Sequence, residues 1–310
     1  MEAVPLRRKT NSRAHRNYTD LYFLLLIPVV YVFIFHYIPM YGVLMAFKTF
    51  QASKGVWGSP WAGLYHFKRF FSSPYSLIII RNTVILSIYS LIAGFPLPII
   101  LAIFINHSRL LKIKKAVQTI TFAPHFISMV ILVGLVVQIL GMRTGGINVL
   151  LSKMGGEQFN FMGSIRAFPH IYVWSGIWQN TGYGAIIYIS TLAAVDPCLH
   201  EAALIDGANL WQRIWYIDLP TIRPIIVIML ILSMGSILGS NFEKIYLMQN
   251  PQNLNVSEVI STYVYKVGLM DMRPDFSFGT AIGLFQNLVG IALTLLVNQL
   301  AKSLSGDSIF

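Results

Sequence analysis

The chain has 310 residues, of which 55% are hydrophobic and only 11% charged, and its formal net charge is +11. A soluble chain carries about 25% charged residues and needs them to cover its surface, so composition excludes an ordinary soluble domain. The basic residues form no face interleaved with aromatics in a soluble segment, which argues against nucleic acid as a partner and fits basic membrane loops. The single cysteine, Cys198, leaves no intrachain disulfide and no cysteine-based metal site.

In chain order, residues 1–20 make a basic tail with Arg7, Arg8, Lys9, Arg13 and Arg16. The apolar run that follows, about 21–46, has no Lys, Arg, Asp or Glu from Leu21 to Phe47. It exceeds a signal-peptide core of roughly 7–15 residues and meets the roughly 20 needed to cross a bilayer, so it reads as a retained first span. Residues 48–76 hold Trp57, Trp61, Tyr65, Phe67, Phe70 and Phe71. That pattern fits an amphipathic element at the membrane interface, with a docking surface for an external partner as the alternative. Further apolar runs at about 77–105, 117–140, 169–195, 222–247 and 278–301 complete a set of six. Backbone groups in hydrocarbon must be satisfied internally, so the expectation is an all-α integral membrane protein of about six transmembrane helices. Pro28, Pro96, Pro98 and Pro124 are then kinks.

The short connection Asn106–Ala116 carries Arg109, Lys112, Lys114 and Lys115, and an even number of spans separates it from the basic tail. Both therefore belong on the cytoplasmic side, which places both termini there. With no internal repeat or flexible linker, residues 21–310 read as a single transmembrane domain.

The connection between the fourth and fifth spans, about 196–220, reads as a short helix, a bend and a second short helix. Asp196-Pro197 is an N-cap with proline at the first helical position. Gly207 interrupts the helix, a second begins near Trp211, and Leu219-Pro220 ends it before the fifth span. Glu201, Asp206, Arg213 and Asp218 keep the segment out of the bilayer core, while Leu204, Ile205, Trp211, Ile214 and Trp215 give it an apolar side. On physical grounds it either enters a groove on a partner or packs on its own bundle.

The pattern Glu201-Ala202-Ala203, Asp206-Gly207-Ala208, Ile217-x-Leu219-Pro220 and Pro224 resembles the EAA coupling loop of ABC importer permeases. Gly63-Leu64 with Phe67, Asn82-Thr83 and Pro124 extend the resemblance, which points to the carbohydrate branch and to importers of complex oligosaccharides and polysaccharides. Ile214 departs from it, since the family usually has phenylalanine there. The resemblance implies the type I importer permease architecture in a bacterial cell (inner or plasma) membrane. It also implies a heterodimeric pore with a second permease, an ATPase dimer that holds ATP and Mg, and an extracytoplasmic solute-binding protein. No cofactor is expected on this chain. Glu201, Ala202, Ala203, Asp206, Gly207, Ile217, Leu219 and Pro220 would form the ATPase-coupling element. Within it Glu201 would face positive charge, Gly207 would bend the pair and the alanines would permit close approach.

For substrate, aromatic faces and amide groups in the spans are the natural sugar ligands, and Trp178, Asn180, Tyr183, Asn241, Gln286 and Asn287 are the candidates. Helix packing is the alternative for each, as in Gly279-x-x-x-Gly283. The spans hold almost no ionisable relay beyond Arg81, Glu243 and Lys244, which counts against an ion-driven transporter. No phosphate-binding loop, zincin motif or nucleophile elbow occurs, so ATP hydrolysis and other enzymatic chemistry belong elsewhere. His36, His125, His170 and His200 read as packed or interfacial. A permease for a non-sugar solute stays open.

Overall fold

The structure, a computed structural model, describes residues 19–108, 110–239 and 241–305. The basic tail 1–20 lies outside the side chains it describes, as does Arg109 in the basic connection. The named elements of the described chain are all helices, with one isolated antiparallel bridge between Lys48 and Trp61.

Helix α1, Thr19–Val32, continues through a π-turn at Phe33–Tyr37 and a 3-10 stretch at Ile38–Phe47. The widened turn has a cause in Pro39, which cannot donate to the carbonyl one turn back and whose ring would crowd it. Ile38 N–H instead reaches back to Phe33 O. None of Leu21–Tyr41 is buried, so this span stands off the bundle until Ala46 packs into it. Among the aromatics of the following connection, α2 (Tyr65–Phe71) buries Phe70 together with His66, and Arg69 pairs with Asp275 at 2.7 Å.

The second span is α3 (Pro74–Gly94) running into α4 (Pro96–His107), 34 residues in all. The third expected span is bent: α5 (Leu111–Phe122) and a short 3-10 turn holding Pro124 meet α6 (Met129–Leu140) at 101°. Ser128 caps α6 by accepting from Ile131 N–H, so the chain restarts a helix inside a continuous apolar run. The fourth span is α7 (Ala167–Leu192), followed at a 75° bend by α8 (Pro197–Ile205). Helix α9 (Leu210–Arg213) is continuous with α10 (Leu219–Gly235), which ends twelve residues short of the expected limit of 247 because the chain turns at Ser236–Gly239. Helix α11 (Phe242–Met248) is a separate piece. Helix α12 (Ile260–Tyr265) precedes the last span, α13 (Phe276–Ser305). Among the described residues, four helices are thus long and apolar enough to cross a membrane, and up to six when each bent pair counts as one span.

Three apolar cores hold the bundle. Leu86, Val133, Phe168, Val173, Ile245 and Val259 meet near the start of α7. Phe70, Ile79, Ile260, Phe278 and Ile282 join α2, α3, α12 and α13. Ala102, Ala185, Tyr188, Leu192 and Ile222 join α4, α7 and α10 at the end nearest the connection 196–218.

Candidate functional site

At that end, Asp196 accepts from Cys198 N–H at 2.9 Å and starts α8. The helix stops in a Schellman turn: Ala208 N–H reaches Ala203 O at 2.8 Å and Gly207 N–H reaches Leu204 O at 3.1 Å. That closure requires a left-handed residue, and Gly207 has φ +81°. Asn209 and Gln212 then form a reciprocal capping box at 2.7 and 2.9 Å that restarts the helix. The expected helix–bend–helix is therefore present, with one correction. Leu219-Pro220 does not end the second helix, because a π-turn at Ile214–Asp218 sets Pro220 aside and carries α9 into the fifth span. Phe33–Tyr37 handles Pro39 by the same device.

The hairpin presents Glu201, Ala202, Asp206 and Gly207 to the exterior, with Ala203 and Ile217 half-buried. Its apolar side is bare: Ile205 is 87% exposed, Trp211 72% and Trp215 67%. Ile214 is buried, and Leu219 packs against the core of α4, α7 and α10. Pro220 is exposed.

Asp218, expected on the solvated side with Glu201 and Asp206, is fully buried. Its carboxylate lies 2.6 Å from Nε2 of His107, the last residue of α4, and 3.4 Å from Nε2 of His200 on α8. A buried carboxylate needs partners. Oδ2 is hydrogen-bonded to His107, while Oδ1 has no hydrogen bond among the described residues and only the His200 imidazole within ion-pair distance. The trio fastens the hairpin to the second and fifth spans one residue from Glu201. Sequence alone does not show it, because the two histidines are separated by the whole of the third and fourth spans. The available signal was an aspartate at the entrance of an apolar run.

The substrate candidates divide. Asn180 and Asn241 line a cavity of about 370 Å³ between α3, α4, α7 and α10, together with Gln179, Ser233 and Lys244. Gln286 and Asn287 line a second cavity of about 570 Å³ with Phe242, Tyr265 and Gly283. Trp178 and Tyr183 are exposed and line neither. Tyr183 stacks on His125 with ring centres 3.8 Å apart, and His125 Nδ1 meets Asn180 Oδ1 at 3.1 Å. Gln286 donates to Leu238 O. Lys244, noted from sequence only as a charge near the end of a span, is 2% exposed and donates to Tyr172 O at 2.7 Å.

The family model described as binding-protein-dependent transport system inner membrane component matches residues 79–306. The polygalacturonan/rhamnogalacturonan transport system permease protein YteP of Bacillus subtilis is 41% identical over 290 residues, covering 94% of this chain and 90% of that protein. Protein LplB of the same organism is 40% identical, covering 94% and 91%. Among solved structures, a bacterial ABC transporter involved in import of the acidic polysaccharide alginate superposes with a TM-score of 0.86 at 39% identity, covering 93% of this chain and 96% of that one. A second, in complex with an alginate pentasaccharide-bound periplasmic protein, gives 0.86 at 37% identity, covering 95% and 100%.

Proposed function

The chain belongs to the family of binding-protein-dependent transport system inner membrane components, and on that premise we propose that it is the membrane-spanning permease subunit of an ATP-driven importer for an oligosaccharide or polysaccharide fragment. Relatives that handle polygalacturonan, rhamnogalacturonan and arabinooligosaccharides, and structural neighbours that import alginate, support the carbohydrate class. The observation that carries the coupling role is the bare hairpin 196–218. A helix pair capped at both ends, with tryptophans and isoleucine on its surface and Glu201 at its rim, has the form of an element that fills a groove on another protein.

In this reading the hairpin lies on the cytoplasmic side, both termini share that side, and the groove belongs to one member of an ATPase pair that holds ATP and Mg. A second permease completes the pore, and a solute-binding protein delivers substrate at the opposite end. Because Asp218 ties His200 of α8 to His107 of α4, displacement of the hairpin is passed directly to the second and fifth spans. Those two helices form walls of the cavity that holds Asn180 and Lys244. ATP-driven closure of the ATPase pair would thereby open and close that cavity.

Co-expression of the chain with its companion permease and ATPase, followed by purification through a tag on this chain, tests the reading. Wild type is expected to retain the ATPase and Glu201→Arg to lose it. Equal retention by both would remove the hairpin from the coupling role.

A further inference from the structure

Lys244 is a basic side chain buried without an acidic partner among the described residues. It is 2% exposed, and the described residues offer its ammonium one hydrogen bond, to Tyr172 O at 2.7 Å, and the face of the Tyr172 ring with its centre 4.9 Å away. No Asp or Glu among them lies within ion-pair distance. An ammonium carries three N–H donors, so two remain. Charge removed from water is retained at a cost unless something pairs with it, and an ionisable group within a membrane bundle marks a ligand or a pathway.

The surroundings indicate which kind of ligand. The amine lies against α7 where residue 176 is glycine; a Cβ there would stand 2.9 Å from Nζ. One turn on, Gln179 is 5% exposed, donates through Nε2 to Ile127 O at 2.9 Å, and leaves Oε1 with no hydrogen-bond partner among the described residues. Both side chains line the 370 Å³ cavity, within the range of small-ligand sites. Asn180, Asn241 and Ser233 share the lining with Ile177 and Met229, a mixture of amide, hydroxyl and apolar surface. Tyr172 is twenty residues before the end of α7, which places Lys244 about 30 Å from the hairpin, at the end facing away from it.

Resting on the reading of the chain as a carbohydrate permease, we infer that this cavity selects an acidic sugar: the Lys244 ammonium meets the carboxylate of a uronate unit, and Gln179 Oε1 accepts from a sugar hydroxyl. A neutral saccharide leaves the buried cation unpaired and is carried less well. Lys244 is thus a specificity-determining residue for the charge of the cargo.

The test uses the complete importer, with the companion permease, ATPase pair and solute-binding protein, reconstituted in proteoliposomes and supplied with labelled trigalacturonate or with neutral arabinotriose. Wild type is expected to accumulate trigalacturonate, Lys244→Met to lower that rate ten-fold or more relative to arabinotriose, and Lys244→Arg to recover most of it. Trigalacturonate uptake by Lys244→Met at the wild-type rate overturns the inference. Equal loss in the Met and Arg variants assigns Lys244 to packing and also overturns it. Uptake of arabinotriose alone by wild type refutes the acidic class while leaving the permease reading intact. A wild-type assembly that retains its ATPase but carries neither sugar removes the carbohydrate reading and this inference with it.

Discussion

Asn253 and Ile205 sit at opposite ends of the bundle. Asn253 is fully buried: its Nδ2 donates to Met162 O and Met248 O, and its Oδ1 accepts from Asn250 N–H and Ser257 Oγ, all at 2.8–3.0 Å. Ile205 is 87% exposed at the tip of α8. The contrast extends to their neighbourhoods. Around Asn253, Asn82 donates to Asn255 O and Glu258 O, Thr83 accepts from Ile260 N–H, and Glu258 pairs with Lys266 at 2.7 Å and Tyr75. Around Ile205, Trp211, Trp215 and Tyr216 are all bare. The first region satisfies its polar groups within the chain; the second leaves apolar area to be covered by another molecule. Stability and the proposed coupling role should therefore be separable, and substitutions at the two ends test it.

The largest loss in the purified chain is expected from Asn253→Ala. It strands the Met248 carbonyl, the Asn250 N–H and the Ser257 hydroxyl, while Met162 O keeps Asn250 Nδ2. Each stranded group is worth roughly 1–3 kcal/mol when buried unpaired, so about 3 kcal/mol or more in total. Thermal unfolding in detergent should show a markedly lower midpoint; an unchanged midpoint would mean that the polar network is not what holds that end together. Asp218→Asn comes next, at about 2 kcal/mol for weakening a charged hydrogen bond to His107. Because Asp218 joins the hairpin to the second and fifth spans, it should be the substitution that lowers the unfolding midpoint and ATPase retention together. A variant with a wild-type midpoint and poor retention would show that the clasp transmits force without supporting the fold. Gly207→Ala is smaller still. The added methyl meets no atom within 4 Å, so its cost is conformational alone, about 1 kcal/mol for an alanine held at φ +81°. Retention of the ATPase should fall more than the midpoint, since relaxation of that φ reorients α8 against α9.

These separations show why the sequence was informative in some places and silent in others. The six apolar runs and the Asp196 and Gly207 punctuation are local signals. Asp196 and Gly207 mark the ends of α8, and four of the runs fall on unbroken helices that stay apolar to near the expected limits or, in the fifth, end early. The 101° break at residues 127–128 sits inside a run that is apolar on both sides, so hydropathy passes over it; Pro124 and the capping Ser128 are its local marks. The end of α10 at Gly235 is hidden the same way, because Ile245 and Leu247 continue the apolar composition after the chain has turned. The His107–Asp218–His200 clasp depends on three helices meeting. No spacing rule reports such contacts, and a charge count placed Asp218 with the solvated residues. Lys244 was visible as a charge, but only the packing of α11 on Tyr172 shows that it is buried beside a cavity. The candidates Asn180 and Asn241 fell in that cavity, whereas Gln286 and Asn287 fell in another, since an amide in an apolar run does not say which neighbouring helix it meets.

The smallest expected effect on the chain itself is the sharpest test of the comparison. Ile205→Ser replaces an isoleucine that is already 87% exposed, and a surface change away from any packed feature alters stability by about 0.5 kcal/mol or less. If the hairpin fills a groove on the ATPase, that isoleucine is covered only in the complex, and burying such a side chain contributes about 1.5–3 kcal/mol. Losing the lower figure weakens the complex about ten-fold, since roughly 1.4 kcal/mol corresponds to a factor of ten. Titrating purified ATPase onto the permease pair in detergent should therefore give at least a ten-fold weaker Kd with an unchanged unfolding midpoint. A shifted midpoint with an unaltered Kd would mean that the hairpin spends its apolar face on its own bundle, and the two ends of the molecule would then be alike.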